Sequence, residues 1–426
     1  MSTMTTTEHY NLPRILIVGT LPYHPNESSR ALDTYFHNWD KNSLRMIYSN
    51  PNLPYNDLCG SYFRITDLEL LRNFFNRKNK VGSVINSVTE NKDNRTKQSH
   101  SLDKFKKKNT MRFYARKWLW NKKRWLTDEL IDWVDEFKPQ AIYVCFSDDY
   151  FILDISYYFA TKYNIPIIAQ IGDDYYFKKS NLLLKPYLKK YKKLFCKIMS
   201  TDGFGVYISD KLTKKYNSYF DKKGFPIYLA SEINSKELDL RYEFNYFGKI
   251  NLGRLKSLML LGDALYKIDK SFCISVYTQS ATKSEIRALK KHNCKFCGSV
   301  LYDDVLEKMN SGSFNIVASG FSKKNVEETK YSLSTKIADS LVSCGPIIAI
   351  GPQDDGAIDY LSENSCAIIL NKPKIDTEYL SSLLSDETYL KKLSNVATSV
   401  YNSNHMLKDN RTKFELECIK ICEAKE

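Results

Sequence analysis

The sequence predicts an α/β protein of two Rossmann-like domains that face each other across a cleft, with C-terminal helices packing back. The chain has 426 residues, more than one hydrophobic core usually organises. Short apolar runs alternate with segments of helical periodicity, which is the pattern of a parallel sheet covered by helices on both faces. The alternation begins at residue 14 and begins again at residue 241, so two such sheets follow one another.

The first domain is predicted over residues 1–235. The run RILIVG at 14–19 ends at a glycine, as a buried parallel strand often does. A helix from about 30 to 39 and the strand LRMIYS then complete a βαβ opening. The later elements are AIYVCF (strand), 152–163 (helix), PIIAQIG (strand), 182–199 (helix), GFGVYIS (strand), 211–220 (helix) and PIYLA (strand).

The second domain is predicted over residues 236–426. Its elements are YEFNYFG (strand), 254–266 (helix), CISVYT (strand), 284–291 (helix), CKFCG (strand), 303–309 (helix), FNIVAS (strand), 333–343 (helix), PIIAIG (strand) and SCAIIL (strand). We expect the helical tail, about 376–426, to pack on this domain and to cross back to the first. Ligands bind at the carboxyl ends of parallel strands, so the chemistry is expected between the two domains.

Positive charge is concentrated in one stretch of the first domain. Residues 72–125 carry 17 Lys and Arg against three acidic residues, a surplus equal to the formal net charge of +14 of the whole chain. Residues 76–110 are rich in Asn, Lys and Ser, which predicts a mobile insertion. Residues 104–137 contain no Pro or Gly and have helical spacing, so one long helix or two in succession are expected. Residues 76–125 thus form a basic, partly mobile segment.

Part of this segment, FKKKNTMRFYARKWLWNKKRW, combines the cations with Trp118, Trp120 and Trp125. Such a pattern is typical of a helix in an anionic membrane interface, where each cation near the surface contributes about 1 kcal/mol. We therefore predict that residues 104–125 bind an anionic membrane surface. A solvated helix face and a nucleic-acid patch with aromatic stacking are the alternatives. No RNA- or DNA-binding motif accompanies the segment, so no nucleic-acid partner is expected.

Composition limits the location and the metal chemistry. No apolar run approaches the roughly 20 residues that span a bilayer, and the first residues lack the regions of a signal peptide. We expect a cytoplasmic protein that lies peripherally at the inner face of a membrane. The ten cysteines do not form a small secreted framework, so reduced core thiols are expected. Cys294 and Cys297 lack two further ligands at suitable spacing, and no metal site is predicted.

The most specific motif is YSLSTKIADSLVSCGPIIAIGPQDDGAIDYL, residues 331–361. It resembles a segment of the family-4-type GT-B glycosyltransferases, which carry Ser-Thr-Lys, a short helix with an acidic residue, a small-residue turn with Pro and a buried strand that ends in Gly-Pro. The resemblance is strong over residues 241–370 and moderate over 111–230. It implies the GT-B fold and transfer of a hexose-type sugar from a nucleotide diphosphate.

Within this motif, four residues are candidates for binding the donor. Ser334 and Thr335 stand where a loop becomes a helix, so their hydroxyls and free backbone amides can hold a diphosphate, with charge added by Lys336. Asp339 matches the family's carboxylate for the ribose hydroxyls. In the alternative interpretation Ser334 is only a helix cap and Asp339 lies on a solvated face. Tyr331 departs from the pattern, because many retaining members have an acidic residue there.

A second segment, FGKINLGRLKSLMLLGDAL at 247–265, resembles the family's diphosphate-binding loop. Gly248 ends a strand, and Lys249 and Arg254 have the five-residue spacing of two cations that face the leaving group. Fixed cations lower the barrier where negative charge develops on a departing diphosphate. The alternative is that both are ordinary surface cations.

A third segment, CGSVLYDDVLEKM at 297–309, resembles the part of these enzymes whose backbone pairs with the nucleobase edge. On that resemblance Gly298 and Val300 are expected to contact the base. Backbone contacts leave little side-chain signature, so uracil, guanine and thymine donors stay open.

The first domain supplies candidates for the acceptor side. Asp173 and Asp174 follow the strand PIIAQIG, at the carboxyl edge where a carboxylate can orient a hydroxyl or take its proton. An Asx turn or a helix start is the alternative interpretation. The loop after the first strand, with Gly19, His24 and Asn26, is expected to line the same cleft. It lacks GxGxxG, so no dinucleotide cofactor is predicted.

The resemblance implies a hexosyltransferase that acts on a membrane-associated glycan or lipid-linked acceptor, with retention, in the synthesis of a cell-surface polysaccharide or glycoconjugate. No cofactor is expected beyond the nucleotide sugar itself. Two alternatives share the nucleotide pocket, namely a GT-B-fold epimerase of nucleotide sugars and a non-catalytic partner subunit. A basic nucleic-acid binder is the third.

Overall fold

The computed structural model describes residues 11–23, 31–54, 58–85, 110–178, 182–231, 233, 236–334 and 336–425. Two sheets dominated by parallel strands, each covered by helices, follow one another along the chain. The predicted fold class is therefore confirmed. Three candidate residues, His24, Asn26 and Thr335, and residues 86–109 of the basic segment lie outside the described residues. Within the described ranges, none of the helices combines the length and the apolarity that a membrane crossing needs.

The first sheet has eight strands in the order β4-β3-β2-β1-β5-β6-β7-β8, and only the β3–β4 pair is antiparallel. Its elements are β1 (Ile15–Gly19), α1 (Ala31–Phe36), β2 (Leu44–Tyr48), β3 (Ser61–Arg64), α2 (Asp67–Phe75), β4 (Ser83–Ile85), α3 (Thr110–Leu119), α4 (Lys122–Trp125), α5 (Asp128–Phe137), β5 (Ala141–Cys145), α6 (Tyr150–Tyr163), β6 (Ile167–Ile171), α7 (Lys185–Met199), β7 (Gly205–Tyr207), α8 (Asp210–Tyr219) and β8 (Gly224–Pro226), with 3-10 turns at Lys41–Ser43 and Leu182–Leu184.

Strand β1 shows why the apolar runs are continuous. Leu16 and Val18 face the core on one side of the sheet, and Ile15 and Ile17 face the core on the other. All four side chains are fully buried. Because successive side chains alternate between faces that are both covered, every position must be apolar.

The basic region is divided into more helices than the pattern predicted. Three short helices, α3, α4 and α5, occupy residues 110–137 in place of one or two. The Asn121 side chain accepts a hydrogen bond from the Lys123 amide, and Thr127 accepts one from the Leu130 amide. Each is an N-cap, a local bond that competes with continuation of the preceding helix. Helical periodicity alone did not reveal these two breaks.

The tryptophans of this region do not share one environment. Trp120 and Trp125 are buried at 2% and 0% exposure in the core of the first domain, and only Trp118 is exposed, at 51%. The Trp120 indole stacks on Phe151 with 3.7 Å between ring centroids. The expectation that all three tryptophans belong to a membrane face is therefore wrong for two of them.

The second sheet has six parallel strands in the order β11-β10-β9-β12-β13-β14. Its elements and the helices after it are β9 (Arg241–Phe247), α9 (Arg254–Ile268), β10 (Ile274–Tyr277), α10 (Lys283–Lys291), β11 (Cys294–Gly298), α11 (Tyr302–Met309), β12 (Ser313–Ala318), α12 (Lys323–Thr329), α13 (Ile337–Val342), β13 (Ile347–Ile350), α14 (Gly356–Glu363), β14 (Ile368–Leu370), α15 (Thr377–Ser385), α16 (Glu387–Asn404) and α17 (Leu407–Glu423). Strand β13 again divides its residues between two cores, one on each face.

The last helix returns to the first domain, as the sequence predicted. The ring of Phe414 in α17 lies among aromatic rings of α1 and β5, with 5.2 Å between its centroid and that of Tyr35. Arg411 forms an ion pair of 3.2 Å with Asp33, and Lys425 forms one of 2.7 Å with Asp202. Helix α17 therefore covers one face of the first sheet.

A buried histidine fixes the point where the chain crosses between the domains. His405, which is 1% exposed, follows α16. Its Nδ1 lies 2.8 Å from the Leu229 carbonyl oxygen in the linker, and its Nε2 lies 2.9 Å from the Tyr360 hydroxyl. The carbonyl can only accept, so Nδ1 carries the proton and the neutral ring accepts from Tyr360. Burial lowers the pKa of this imidazole to about 4.

We predict that His405 makes the folded state sensitive to acid. The unfolded chain binds a proton at this ring near its usual pKa of about 6.5, whereas the folded protein binds it only near 4. The folded state therefore loses stability as the pH falls from about 6.5 to about 4. In urea unfolding, the stability difference between the wild type and His405→Gln should shrink by about 2 kcal/mol between pH 7 and pH 4.5. A difference that stays the same between pH 7 and pH 4.5 would contradict the prediction.

Candidate functional site

Each sheet has one point at which the strand order reverses, and both points carry candidate residues. In the first sheet β1 lies between β2 and β5, and in the second β9 lies between β10 and β12. Connections leave in opposite directions from such neighbouring strands, so a crevice opens at their carboxyl ends. Gly19 ends β1, where a Cβ atom would lie 3.3 Å from the Cys145 side chain. Gly248 follows β9 in the same way.

The loop between β9 and α9 is held against the turn that follows β12. The Gly253 φ angle is +80°, and a Cβ atom there would lie 2.3 Å from Asn325 Nδ2 and 3.0 Å from the Gly320 Cα. Only glycine satisfies both the left-handed backbone and this close approach. The Tyr246 hydroxyl donates to the Lys249 carbonyl at 2.7 Å, which fixes the other end of the loop. The start of α9 is thereby set at the switch point.

Lys249 and Arg254 lie at the two ends of this loop. The Lys249 side chain is exposed, and Arg254 is half-buried with one long contact of 3.4 Å to Asn251 Oδ1. Among the residues that the structure describes, neither cation is paired with a carboxylate. Two uncompensated positive charges next to a helix start form a site suited to an anion.

An apolar floor lies beside these cations. Phe247 at the end of β9 stacks on Tyr277 at the end of β10, with 4.9 Å between ring centroids. Val300 packs against the same small cluster. The Gly298 carbonyl accepts from the Thr278 amide at 2.8 Å, and the space in front of its Cα is open. Gly298 and Val300 thus lie at the carboxyl edge, next to the buried Phe247 ring and the half-buried Tyr277 ring.

Asp339 lies inside the second domain and not on a solvated helix face. Its side chain is fully buried, and Oδ1 accepts a hydrogen bond of 2.9 Å from the Tyr302 hydroxyl. Tyr302 begins α11, two residues after Val300. The interpretation of Asp339 as a solvated residue is therefore wrong. Tyr302 could not be found from the sequence, because nothing in the local pattern links positions that lie 37 residues apart.

The Ser334 region begins its helix later than predicted. Helix α13 starts at Ile337 and has only six residues, and its cap position is Lys336, with no side-chain cap bond. Ser334 is exposed, and its Oγ accepts from the Lys336 amide at 3.4 Å. Ser334 is therefore a turn residue, and the helix dipole available for an anion is short. The expected helix over 333–343 is wrong in its first turn.

The two domains touch at Tyr331 and Ser332. The Ser332 hydroxyl donates to Asp173 Oδ1, and the Ser209 hydroxyl donates to the Tyr331 carbonyl at 2.8 Å. The Lys215 ammonium lies 4.0 Å from the centroid of the Tyr331 ring. Tyr331 also packs against the core of the first domain. Tyr331, where the sequence departs from the pattern that it resembles, is thus an interdomain contact.

Asp174 has a different environment from Asp173. It forms an ion pair of 2.7 Å with Lys215, accepts from the Tyr216 hydroxyl at 3.1 Å and accepts from the Phe177 amide at 3.0 Å. Its side chain is 14% exposed. Asp174 therefore closes a turn inside the first domain, while Asp173 reaches the second domain. Across the described ranges, no cluster of three or more His, Cys, Asp or Glu could hold a metal ion.

Two Rossmann-like domains with facing carboxyl edges and a returning C-terminal helix define the GT-B fold, the architecture of many nucleotide-sugar glycosyltransferases. Three solved structures show the same fold over nearly the whole chain. HepE from Anabaena, in complex with UDP and glucose, is 10% identical with a TM-score of 0.57, covering 94% of this chain and 98% of that chain. A glycosyltransferase from Rickettsia africae is 11% identical with a TM-score of 0.59, covering 97% and 99%.

The third is sucrose-phosphate synthase from Thermosynechococcus elongatus, which is 11% identical with a TM-score of 0.55 over 96% of this chain and 99% of that chain. No protein-family model matches the sequence, and no curated protein matches it. At 10–11% identity, the structural similarity establishes the fold alone.

We predict that Asp174 is needed for stability and Asp173 is not. Asp174→Asn removes the charge partner of a largely buried lysine, so the free energy of unfolding should fall by about 1–3 kcal/mol. Asp173→Asn keeps an acceptor oxygen for Ser332. Because the position is exposed, the free energy of unfolding should change by less than about 0.5 kcal/mol. Urea unfolding of both variants checks this, and equal losses would show that the two carboxylates have the same role.

Proposed function

We propose that the protein is a glycosyltransferase that moves a sugar from a nucleotide-diphosphate donor to a membrane-associated glycan or lipid-linked acceptor, with retention of configuration, during synthesis of a cell-surface polysaccharide or glycoconjugate. The observation that carries the proposal is the pair of uncompensated cations, Lys249 and Arg254, at the switch point of the second sheet. In this assignment residues 236–426 form the donor domain and residues 1–235 form the acceptor domain.

The two cations would act on the leaving group. When the bond between the anomeric carbon and the phosphate oxygen breaks, negative charge grows on the departing diphosphate. Lys249 and Arg254 strengthen their interaction with that charge in the transition state, and this lowers the barrier. The close approach of Gly253 to Gly320 and Asn325 keeps the backbone of this loop in place before the reaction, so the loop itself needs little reorganisation.

The nucleoside would occupy the space above the apolar floor. The half-buried Tyr277 ring, which stacks on the buried Phe247, and the backbone of Gly298 and Val300 offer aromatic and polar groups for a base. Asp339 would accept from the ribose hydroxyls once they replace the Tyr302 hydroxyl. Ser334 and Lys336, with Thr335 between them, lie at the edge of this space and would contact the diphosphate. HepE was solved with UDP-glucose and with UDP and glucose, so a sugar linked to uridine diphosphate is the first donor to test.

On the acceptor side, Asp173 would orient the attacking hydroxyl. It reaches the second domain through a hydrogen bond from Ser332. A carboxylate within hydrogen-bonding reach can accept the proton of an acceptor hydroxyl as the new bond forms. Gly19 would leave room for the acceptor at the carboxyl end of β1. His24 and Asn26 belong to the same proposed loop.

A second candidate function is a non-catalytic partner subunit of the same fold. Tyr331 packs against the first domain at the position where many retaining relatives have an acidic residue, and this observation favours the candidate. Such a protein would bind the nucleotide and transfer no sugar. Nucleotide binding and turnover therefore have to be measured separately.

We predict that a nucleotide diphosphate stabilises the protein. In a thermal-shift panel of uridine, guanosine, thymidine and adenosine diphosphates, one nucleotide should raise the melting temperature by a few degrees at a concentration of about 100 times its Kd. Asp339→Asn should weaken that nucleotide about tenfold, because two charge-assisted hydrogen bonds become neutral. In Tyr302→Phe the nucleotide should still raise the melting temperature, because the ribose hydroxyls take the place of the Tyr302 hydroxyl at Asp339. If no nucleotide raises the melting temperature, the proposed donor site is wrong.

We predict that Lys249→Ala and Arg254→Ala each lower kcat by about 100-fold or more while the melting temperature stays near that of the wild type. Lys256→Ala, which removes an exposed cation in the first turn of α9, is the matched control and should keep full turnover. The assay measures sugar transfer from the nucleotide sugar identified in the thermal-shift panel. Wild-type rates in both variants would exclude the two residues from the mechanism.

A further inference from the structure

Helix α3 presents an unusual face to solvent. Its exposed positions are Met111, Ala115 and Trp118, spaced i, i+4 and i+7, so they form one apolar stripe. Met111 is 70% exposed and Trp118 is 51% exposed. Arg116, in contrast, is turned inward, where it pairs with Asp67 at 3.0 Å and with Asp149 at 2.6 Å. A surface helix that faces only water has the opposite arrangement.

The stripe continues onto neighbouring elements. Phe74 of α2 lies edge-on to Trp118 with 4.6 Å between centroids, and Phe75 next to it is 78% exposed. At the other end, the Tyr114 hydroxyl donates to the Leu183 carbonyl at 2.8 Å. Leu182 and Leu183 are 73% and 71% exposed. We call the following six residues the apolar face: Phe74, Phe75, Met111, Trp118, Leu182 and Leu183.

Cations surround the apolar face. Residues 110–125 contain six basic residues and no acidic one, and residues 182–193 contain five lysines and no acidic residue. The Arg124 guanidinium lies 4.2 Å from the Trp118 centroid and 4.9 Å from that of Phe74. We call the following exposed cations, which lie on α2, α4 and α7, the basic rim: Arg72, Lys122, Lys123, Lys185, Lys189 and Lys190. The two acidic residues of α2 already have partners. Asp67 forms an ion pair with Arg116, and Glu69 accepts a hydrogen bond from the Thr66 amide in the helix cap.

The apolar face borders the carboxyl edge of the first sheet. Asp67 begins α2, which follows β3, and Asp149 caps α6, which follows β5. Arg116 bonds to both carboxylates, so it holds α3 beside the starts of these two helices. Strand ends, helix starts and α3 therefore lie on the same side of the sheet. The face is therefore on the domain to which the proposed function assigns the acceptor.

We propose that the apolar face and its basic rim dock on an anionic lipid bilayer, with Trp118, Phe75 and the two leucines inserted among the lipid headgroups and upper acyl chains. This proposal deepens the proposed function, since it supplies a surface for a lipid-linked acceptor. Patches of this kind on a soluble domain mark an interaction site. Leu182, Leu183 and Met111 are aliphatic, so they offer no stacking surface to a nucleic acid, whereas they partition readily into lipid.

Tryptophan fluorescence gives a direct test, because Trp118 is the one exposed tryptophan of five. The other four, Trp39, Trp120, Trp125 and Trp133, are at most 6% exposed. The full chain is mixed, without nucleotide, with vesicles of phosphatidylcholine alone or of equimolar phosphatidylcholine and phosphatidylglycerol. With lipids brominated on the acyl chains, the anionic vesicles should quench the emission and the neutral ones should not. Trp118→Phe should still bind the anionic vesicles and lose the quenching.

Two pairs of variants separate apolar insertion from charge attraction. Phe75→Ser/Leu183→Ser and Lys189→Glu/Lys190→Glu should each bind anionic vesicles about tenfold more weakly in sedimentation. The matched controls on the second domain, Tyr379→Ser and Lys290→Glu/Lys291→Glu, should bind as the wild type does. Circular dichroism melts verify that every variant is folded.

Three results would overturn the proposal: no binding to anionic vesicles, binding that the two apolar-face substitutions leave unchanged, or binding without quenching of Trp118. Tight binding of a single-stranded oligonucleotide that depends on Lys189 and Lys190 alone would assign the face to nucleic acid. Nucleotide stabilisation is measured separately on the same proteins, so failure of membrane docking is distinguishable from failure of the donor site.

Discussion

The close approach of the β9–α9 loop to the turn after β12 is the constraint on which the candidate site depends. Gly253 and Gly320 bring two backbones together at the point where the strand order of the second sheet reverses. A side chain at either position would push the loop away from the sheet. With the loop held, α9 starts at Arg254 and Lys249 projects from the same loop. Two cations at a sheet edge are common, but here they flank a loop whose backbone is held by a glycine contact, and the proposed anion site depends on that arrangement.

The interdomain contacts differ in strength at the two sides of the molecule. On one side, His405, Tyr360 and Leu229 form a buried network around the linker. On the other, Tyr331 and Ser332 meet the first domain through single hydrogen bonds and a cation above an aromatic ring, each of which contributes about 1 kcal/mol or less. The Lys211–Asp359 ion pair and the packing of Tyr331 against the core of the first domain add to these contacts.

Most of the fold could be predicted, because the dominant signal is local. Strands buried on both faces must be apolar throughout, so β1, β5, β6 and β13 are visible in the sequence. The stretch from β3 to β4, residues 61–85, was missed because its strands are short and β4 is an edge strand with half-buried residues only. The breaks within 110–137 were missed because single polar side chains, Asn121 and Thr127, decide them.

The candidate site was predictable only where its residues belong to a contiguous motif. Lys249, Arg254 and Gly248 are in one segment, and the structure has them at one sheet edge. Tyr302 and Asp339, or Ser332 and Asp173, are brought together by topology across 37 and 159 positions, and such pairs leave no local pattern. The tryptophans show the same limit of local signals. The composition of the basic segment does not reveal the helix breaks, and these breaks divide its tryptophans between the core and the surface. Only Trp118 is exposed and available to a partner.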